Sequence, residues 1–161
     1  MPFYIYIYIK ENILNNLHLK YPKMSLTFFK WVQYLERKEI GKFLDLYSKS
    51  SILVTKITNI PSANIDIPFP DNNTILHDRV GVFKNFEKIF FSTRHDFKIL
   101  HHDIEHSNGK DIITGKTNFI YKSNQYFFDH NIVLEKENNG EKISYHNIGL
   151  QKDDNYLKDL I

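Results

Sequence analysis

Eight histidines in a chain with no cysteine are the residues most able to do chemistry. Imidazole changes charge near neutral pH, which makes it the natural acid/base group of a cofactor-free site. Five of the eight, His101, His102, His106, His130 and His146, fall in stretches whose apolar residues alternate with period two. In one stretch Phe128, His130, Ile132 and Leu134 share a strand face, and that face is apolar. His130 would be desolvated there, so its pKa should fall unless a carboxylate pairs with it. In a later stretch His146 shares a face with Ile148 and Leu150. The two stretches are strands joined by a turn, so His130 and His146 can meet on one wall. Two readings stay open. In the catalytic one, His130 is a general base and His146 or Tyr121 orients the substrate. In the other, both histidines are hydrogen-bonded core or interface residues, the commoner fate of such groups.

The run His101-His102-Asp103-Ile104-Glu105-His106 invites a metal reading that strand geometry opposes. His101, Asp103 and Glu105 share one face, and His102, Ile104 and His106 the other. Residues two apart sit ~6.6 Å apart, and His102 and His106 would be ~13 Å apart, too far to hold one ion. Asp129 lies on the face opposite His130, and Asp45 beside an apolar helix face. Tyr34 and Tyr47 could offer hydroxyls to a pocket, although buried tyrosines are more often core aromatics with a polar handle. Arg79 and Arg94 flank a predicted helix and could hold an anion. There is no phosphate-cradling Gly-rich loop, no nucleophile elbow and no paired-carboxylate pattern, so no cofactor and no metal are expected.

These residues sit in a chain of 161, the length of one domain, with 42% hydrophobic and 25% charged residues. Ten Tyr and thirteen Phe supply either core area or the walls of an apolar pocket. Without cysteine there is no disulfide, thiol catalysis or Cys-type zinc site. A net charge of +2 with no basic run argues against a nucleic-acid partner. No signal peptide or membrane span is evident, which fits a cytoplasmic placement with no membrane partner.

Three domain segments are expected. Residues 1–24 form an N-terminal extension containing Phe3 to Ile9 (FYIYIYI), whose alternation is that of a strand. That extension is an extra strand, an aggregation-prone tail, or sequence upstream of a native start at Met24. Residues 25–151 form the domain, and residues 152–161 a polar tail. Within the domain, Ser25 caps a predicted helix from Leu26 to Arg37 with Phe28, Trp31, Val32 and Leu35 at helical spacing. A second helix is predicted from Glu39 to Ser48, with Ile40, Phe43, Leu44 and Tyr47 on one face. Ile52 to Thr58 reads as a strand. Residues 59–77 read as a long loop with a short strand around Ile65, and could act as a lid. Asp78 caps a third helix from Arg79 to Ser92, whose stripe is Val82, Phe83, Phe86, Ile89 and Phe90. Four strands follow: Phe97 to His106, Asp111 to Lys122, Gln125 to Glu137 and Lys142 to Gln151. Asn108-Gly109, Ser123-Asn124 and Asn138-Asn139-Gly140 turn between them.

The order helix, helix, strand, loop, helix, four strands resembles the SnoaL-like, nuclear-transport-factor-2-like superfamily. Residues 31–47 (WVQYLERKEIGKFLDLY) are similar to its opening stretch, and residues 137–147 (ENNGEKISYHN) to its closing hairpin with a His after Lys-Ile. The helix from Arg79 to Phe90 resembles its third helix. The resemblance covers about Ser25 to Gln151. It implies a cone-shaped α+β barrel, with three N-terminal helices packed on a curved, mainly antiparallel sheet and a pocket open at one end. Trp31, Tyr34, Tyr47 and Phe128 would line that pocket, and a small apolar or aromatic ligand would suit it. It also implies a homodimer through the outer sheet face. Trp31 stands where the ketosteroid isomerase branch has its oxyanion-stabilising Tyr, and Thr55 near that branch's general-base Asp. His77-Asp78 replaces a Gly that often precedes the third helix. Thr cannot act as a carboxylate base, so ketosteroid isomerisation is disfavoured. Two functions remain: a pocket protein working as a lyase, isomerase or cyclase through His130 with His146 and tyrosyl hydroxyls, or a non-catalytic dimerising or ligand-binding module of the same fold.

Overall fold

A computed structural model describes residues 25–58, 67–69, 74–92, 96–138 and 140–152. The expectations for residues 1–24, for a strand around Ile65, for Arg94 and for the tail after Lys152 fall outside these residues. Helix α1 spans Leu26–Glu36, and the Ser25 hydroxyl accepts from the Phe28 amide at 3.1 Å, as an N-cap must. Its predicted stripe of Phe28, Trp31, Val32 and Leu35 is buried.

Helix α2 is shorter than expected, Ile40–Asp45, and Tyr47 is not on it but opens strand β1, Tyr47–Thr58. The cause is tertiary. Lys142 Nζ donates to the Asp45 carbonyl at 2.6 Å, and the Ile143 amide donates to the Leu46 carbonyl at 2.8 Å. Carbonyls that would have carried the helix onward are taken by the last strand of the chain.

A second correction concerns the loop. Thr74–His77 is a strand, β2, paired antiparallel with β1, so Ile52 stands opposite His77 and Val54 opposite Ile75. Helix α3 spans Asp78–Phe90. Asp78 has φ +65° and its carboxylate accepts from the Val80 and Gly81 amides at 2.9 and 3.2 Å, so it does the capping the sequence assigned to it.

Strands β3 (Phe97–Ser107), β4 (Lys110–Tyr121), β5 (Asn124–Glu137) and β6 (Gly140–Lys152) follow as an antiparallel meander. Asn108 and Gly109 both have positive φ, as their hairpin requires. The next turn is Lys122-Ser123, one residue earlier than predicted, with Asn124 already in β5. Strand β1 pairs in parallel with β6, giving the order β2-β1-β6-β5-β4-β3. The described residues thus form an α+β fold, with a six-stranded, mostly antiparallel sheet carrying helices on one face. Aromatic side chains from both layers fill the space between: Trp31 and Phe86 from the helices meet Phe128 from the sheet, Phe43 packs on both Trp31 and Phe86, and Phe119 and Phe69 stack on Phe128. No helix among the described residues is long and apolar enough to cross a membrane.

Candidate functional site

Register brings the two histidines together. On the β5–β6 ladder His130 stands opposite Ile148 and His146 opposite Ile132, so the histidines are diagonal neighbours on the inner face. His130 Nδ1 and His146 Nε2 are 2.9 Å apart. Tyr47, delivered by the start of β1, places its hydroxyl 2.8 Å from His146 Nδ1. Trp31 Nε1 donates to that hydroxyl at 2.9 Å. At the other end the Thr117 hydroxyl lies 2.9 Å from His130 Nε2. The result is one continuous relay, Trp31–Tyr47–His146–His130–Thr117, running from helix to sheet through the core. His130 is 4% exposed and the imidazole of His146 is fully enclosed.

Donor and acceptor capacities set the direction of this relay. Trp31 can only donate, so the Tyr47 oxygen accepts from it. The single hydroxyl proton of Tyr47 then goes to His146 Nδ1. His146 must carry its proton on Nε2 and donate to His130 Nδ1, and His130 in turn donates from Nε2 to Thr117. Both rings are therefore neutral, and every ring nitrogen is engaged within the protein. Burial pushes the His146 pKa down to about 3, and burial with the neighbouring His146 holds His130 well below the ordinary histidine value. No carboxylate takes part: Asp129 is on the opposite face with Lys116 as its partner at 3.9 Å.

Aromatic rings enclose the pair. Phe28 lies edge-on to His130 with centroids 5.1 Å apart, and Trp31 lies edge-on at 4.9 Å. Phe28 reaches this position because Gly115, directly across the ladder from His130, has no side chain. A Cβ there would fall 3.0 Å from Phe28 Cζ and 3.1 Å from His102 Cβ.

Other residues singled out in the sequence have different surroundings. Tyr121 is buried near the end of β4 and packs on Tyr126; from β4 it is Thr117 that reaches His130. Tyr34 is only partly buried, with Lys42 over its ring. Thr55 is fully buried on the inner face of β1. Arg79 ties α3 to β1 through the Tyr47 carbonyl at 2.9 Å and bonds Asp45 at 3.3 Å. In β3, the His102 Nε2 accepts from the Ser25 amide at 3.2 Å, burial lowers its pKa, and His106 pairs with Asp111. No group of three potential metal ligands occurs among the described residues.

Thr117 and Asn85 were missed in the sequence. Thr117 sits at an inward position of β4 between Gly115 and Phe119, so a polar residue in an apolar period was the available signal. Asn85 lies on the buried side of α3 with both carboxamide atoms enclosed and unpartnered. An unpaired buried amide costs about 1–3 kcal/mol. Asn85→Leu, close to it in shape, should therefore raise stability by about 1–2 kcal/mol, read as the urea midpoint at unchanged slope. A lower midpoint would show that the amide is satisfied in solution.

No protein-family model matches the sequence, and no curated protein matches it either. Solved structures do match in fold. A candidate scytalone dehydratase from Novosphingobium aromaticivorans superposes with a TM-score of 0.60 at 11% identity, covering 88% of this chain and 88% of that one. An NTF2-like protein of unknown function from Pseudomonas putida gives 0.58 at 8% identity, over 76% and 80% of the two chains. A candidate calcium/calmodulin-dependent protein kinase II association domain from Xanthomonas campestris gives 0.57 at 17% identity, over 76% and 81%. These superpositions, at identities that speak for fold alone, show that the chain has the NTF2-like fold.

Proposed function

We propose that this protein is a non-catalytic, dimerising module of the NTF2-like fold. One observation carries the reading: both nitrogens of His130 and both of His146 are consumed by the internal relay, inside a wall of aromatic rings. A general base needs a free lone pair within reach of a substrate proton, and this pair offers none.

The outer sheet face supplies the contact surface. Successive registers align Ile112, Val133, Tyr145 and Ile52 in one row across β4, β5, β6 and β1, each pointing away from the helices and only partly buried. Val54 and Ile75 extend the apolar area in the adjoining row, and Ile75 is 60% exposed. A two-fold axis through such a row sets like against like, as an isologous dimer requires. The occupant is a second copy, in keeping with the use of this face that the family resemblance implies.

Sedimentation of the wild type and of Val133→Lys tests this. The wild type should sediment as a dimer, and the variant as a monomer with an unchanged circular dichroism spectrum. A wild type that stays monomeric at every accessible concentration overturns the reading. The enzymatic alternative draws on the same Tyr–His–His–Thr chain, and on the dehydratase name of one structural neighbour. It requires an interior open to substrate, in which case nitrogen NMR would find the His130 ring taking up a proton more readily than a sealed, desolvated imidazole does.

A further inference from the structure

We propose that the seam between α2 and α3 is a docking site for a short, acidic, amphipathic helix of another protein. Val80 and Phe91 on α3 and at its end are 61% and 66% exposed, far more than core side chains of their kind. They belong to one patch. The Phe91 ring lies edge-on to Phe83 with centroids 6.4 Å apart, and Val80 stands one turn before Phe83. Phe83 stacks on Phe90 beneath it and is itself only partly buried.

The facing helix continues the patch. Ile40 and Leu44 fall on the flank of α2 that carries Asp45 to Arg79 of α3, and both are partly buried. A lone surface hydrophobe needs no explanation, but Ile40, Leu44, Val80, Phe83 and Phe91 line two neighbouring helices. Such a seam takes the apolar face of a third helix, whose side chains enter between the two. A flat lipid surface would reach Val80 and Phe91 but not the half-covered residues in the seam.

Charge sets the chemistry of the partner. Among residues 37–45 and 78–92 most acids are already engaged: Asp45 with Arg79 and Lys142, Glu39 with Lys42 at 4.0 Å, and Asp78 with the amides of Val80 and Gly81. Glu87 is the remaining acid. Against it stand four exposed bases, Arg37, Lys38, Lys84 and Lys88, none in an ion pair among the described residues. Lys38 and Lys88 donate only to backbone, to the carbonyls of Ser92 and Ile67, so their charge is not neutralised. Lys84 lies one turn after Val80 and two turns before Phe91, on the same outward stripe. An apolar seam rimmed by uncompensated cations is complementary to Leu or Phe anchors flanked by carboxylates. The seam lies on the helix layer and the proposed dimer row on the far face of the sheet, so either idea can fail without the other.

Fluorescence anisotropy on the full chain tests this with a labelled synthetic peptide that repeats Leu at helical spacing and carries Glu elsewhere. A second peptide with Lys in place of Glu, and vesicles of anionic lipid, serve as competitors. The wild type should bind the acidic peptide, and Phe91→Ser, at a site exposed enough to tolerate the change, should weaken binding about tenfold. Lys84→Glu/Lys88→Glu should weaken it about as much at low salt and flatten its salt dependence, with sedimentation unchanged. No binding of the acidic peptide, equal binding by Phe91→Ser, or equal binding of the Lys peptide overturns the proposal. Displacement of the acidic peptide by the vesicles also overturns it, because the seam would then be a membrane contact.

Discussion

Acidification will unfold this protein unusually early, because two neutral histidines are locked in its core. The unfolded chain protonates its histidines below about pH 6.5, whereas His146 in the fold does not take up a proton until about pH 3. Between those limits the unfolded state binds more protons, so stability falls as pH falls; it is fully present above the unfolded value. Each such histidine contributes a slope of about 1.4 kcal/mol per pH unit, so His146 alone removes roughly 3 kcal/mol between about pH 7.5 and pH 4.5. His130, held well below its ordinary value by burial and by its neighbour, acts in the same direction. For a domain with a total stability of about 5–15 kcal/mol this is a large share. Urea titrations across this range should show the slope in the wild type and lose most of it when both histidines are replaced by Leu. Since carboxylates contribute equally to both proteins, the difference isolates the pair. Parallel stability curves would refute the neutral relay.

Tyr47→Phe should be the most damaging single-atom deletion in the molecule. The hydroxyl accepts from Trp31 and donates to His146, so its loss orphans one buried donor and one buried acceptor. A cost of about 2–4 kcal/mol follows. The hydroxyl also sets which nitrogen of each histidine carries the proton, since it is what forces His146 to accept at Nδ1. Without it the chain can reverse, with Thr117 donating and His130 accepting at Nε2. Thr117→Val should therefore cost about 1–2 kcal/mol in the wild type but less in the Tyr47→Phe background, a coupling of more than about 0.5 kcal/mol between groups that do not touch. A double-mutant cycle measures this, and nitrogen NMR should find both wild-type rings protonated at Nε2. Strict additivity, or a wild-type His146 protonated at Nδ1, would remove the relay as a unit.

Much of the fold was written locally. Ser25 and Asp78 signalled their helix starts through side chains that cap backbone amides two or three residues on, and Asn108-Gly109 its hairpin through positive φ. The inward faces of β5 and β6 follow from period-two alternation alone, which is why the sequence itself sets His130 and His146 on one wall. What the sequence did not determine were features created by distant partners. Helix α2 stops at Asp45 because Lys142 and Ile143, about a hundred residues away in the chain, take its last carbonyls. That stop swings Tyr47 from a helix face into β1 and onto His146. Strand β2 exists only because β1 offers it an edge, its four residues carrying too little pattern to be recognised by themselves. The sequence by itself determined that two histidines would be desolvated side by side. Only the tertiary structure decided what satisfies them, because a hydrogen bond between residues 47 and 146 depends on strand register and a helix end that no local pattern encodes.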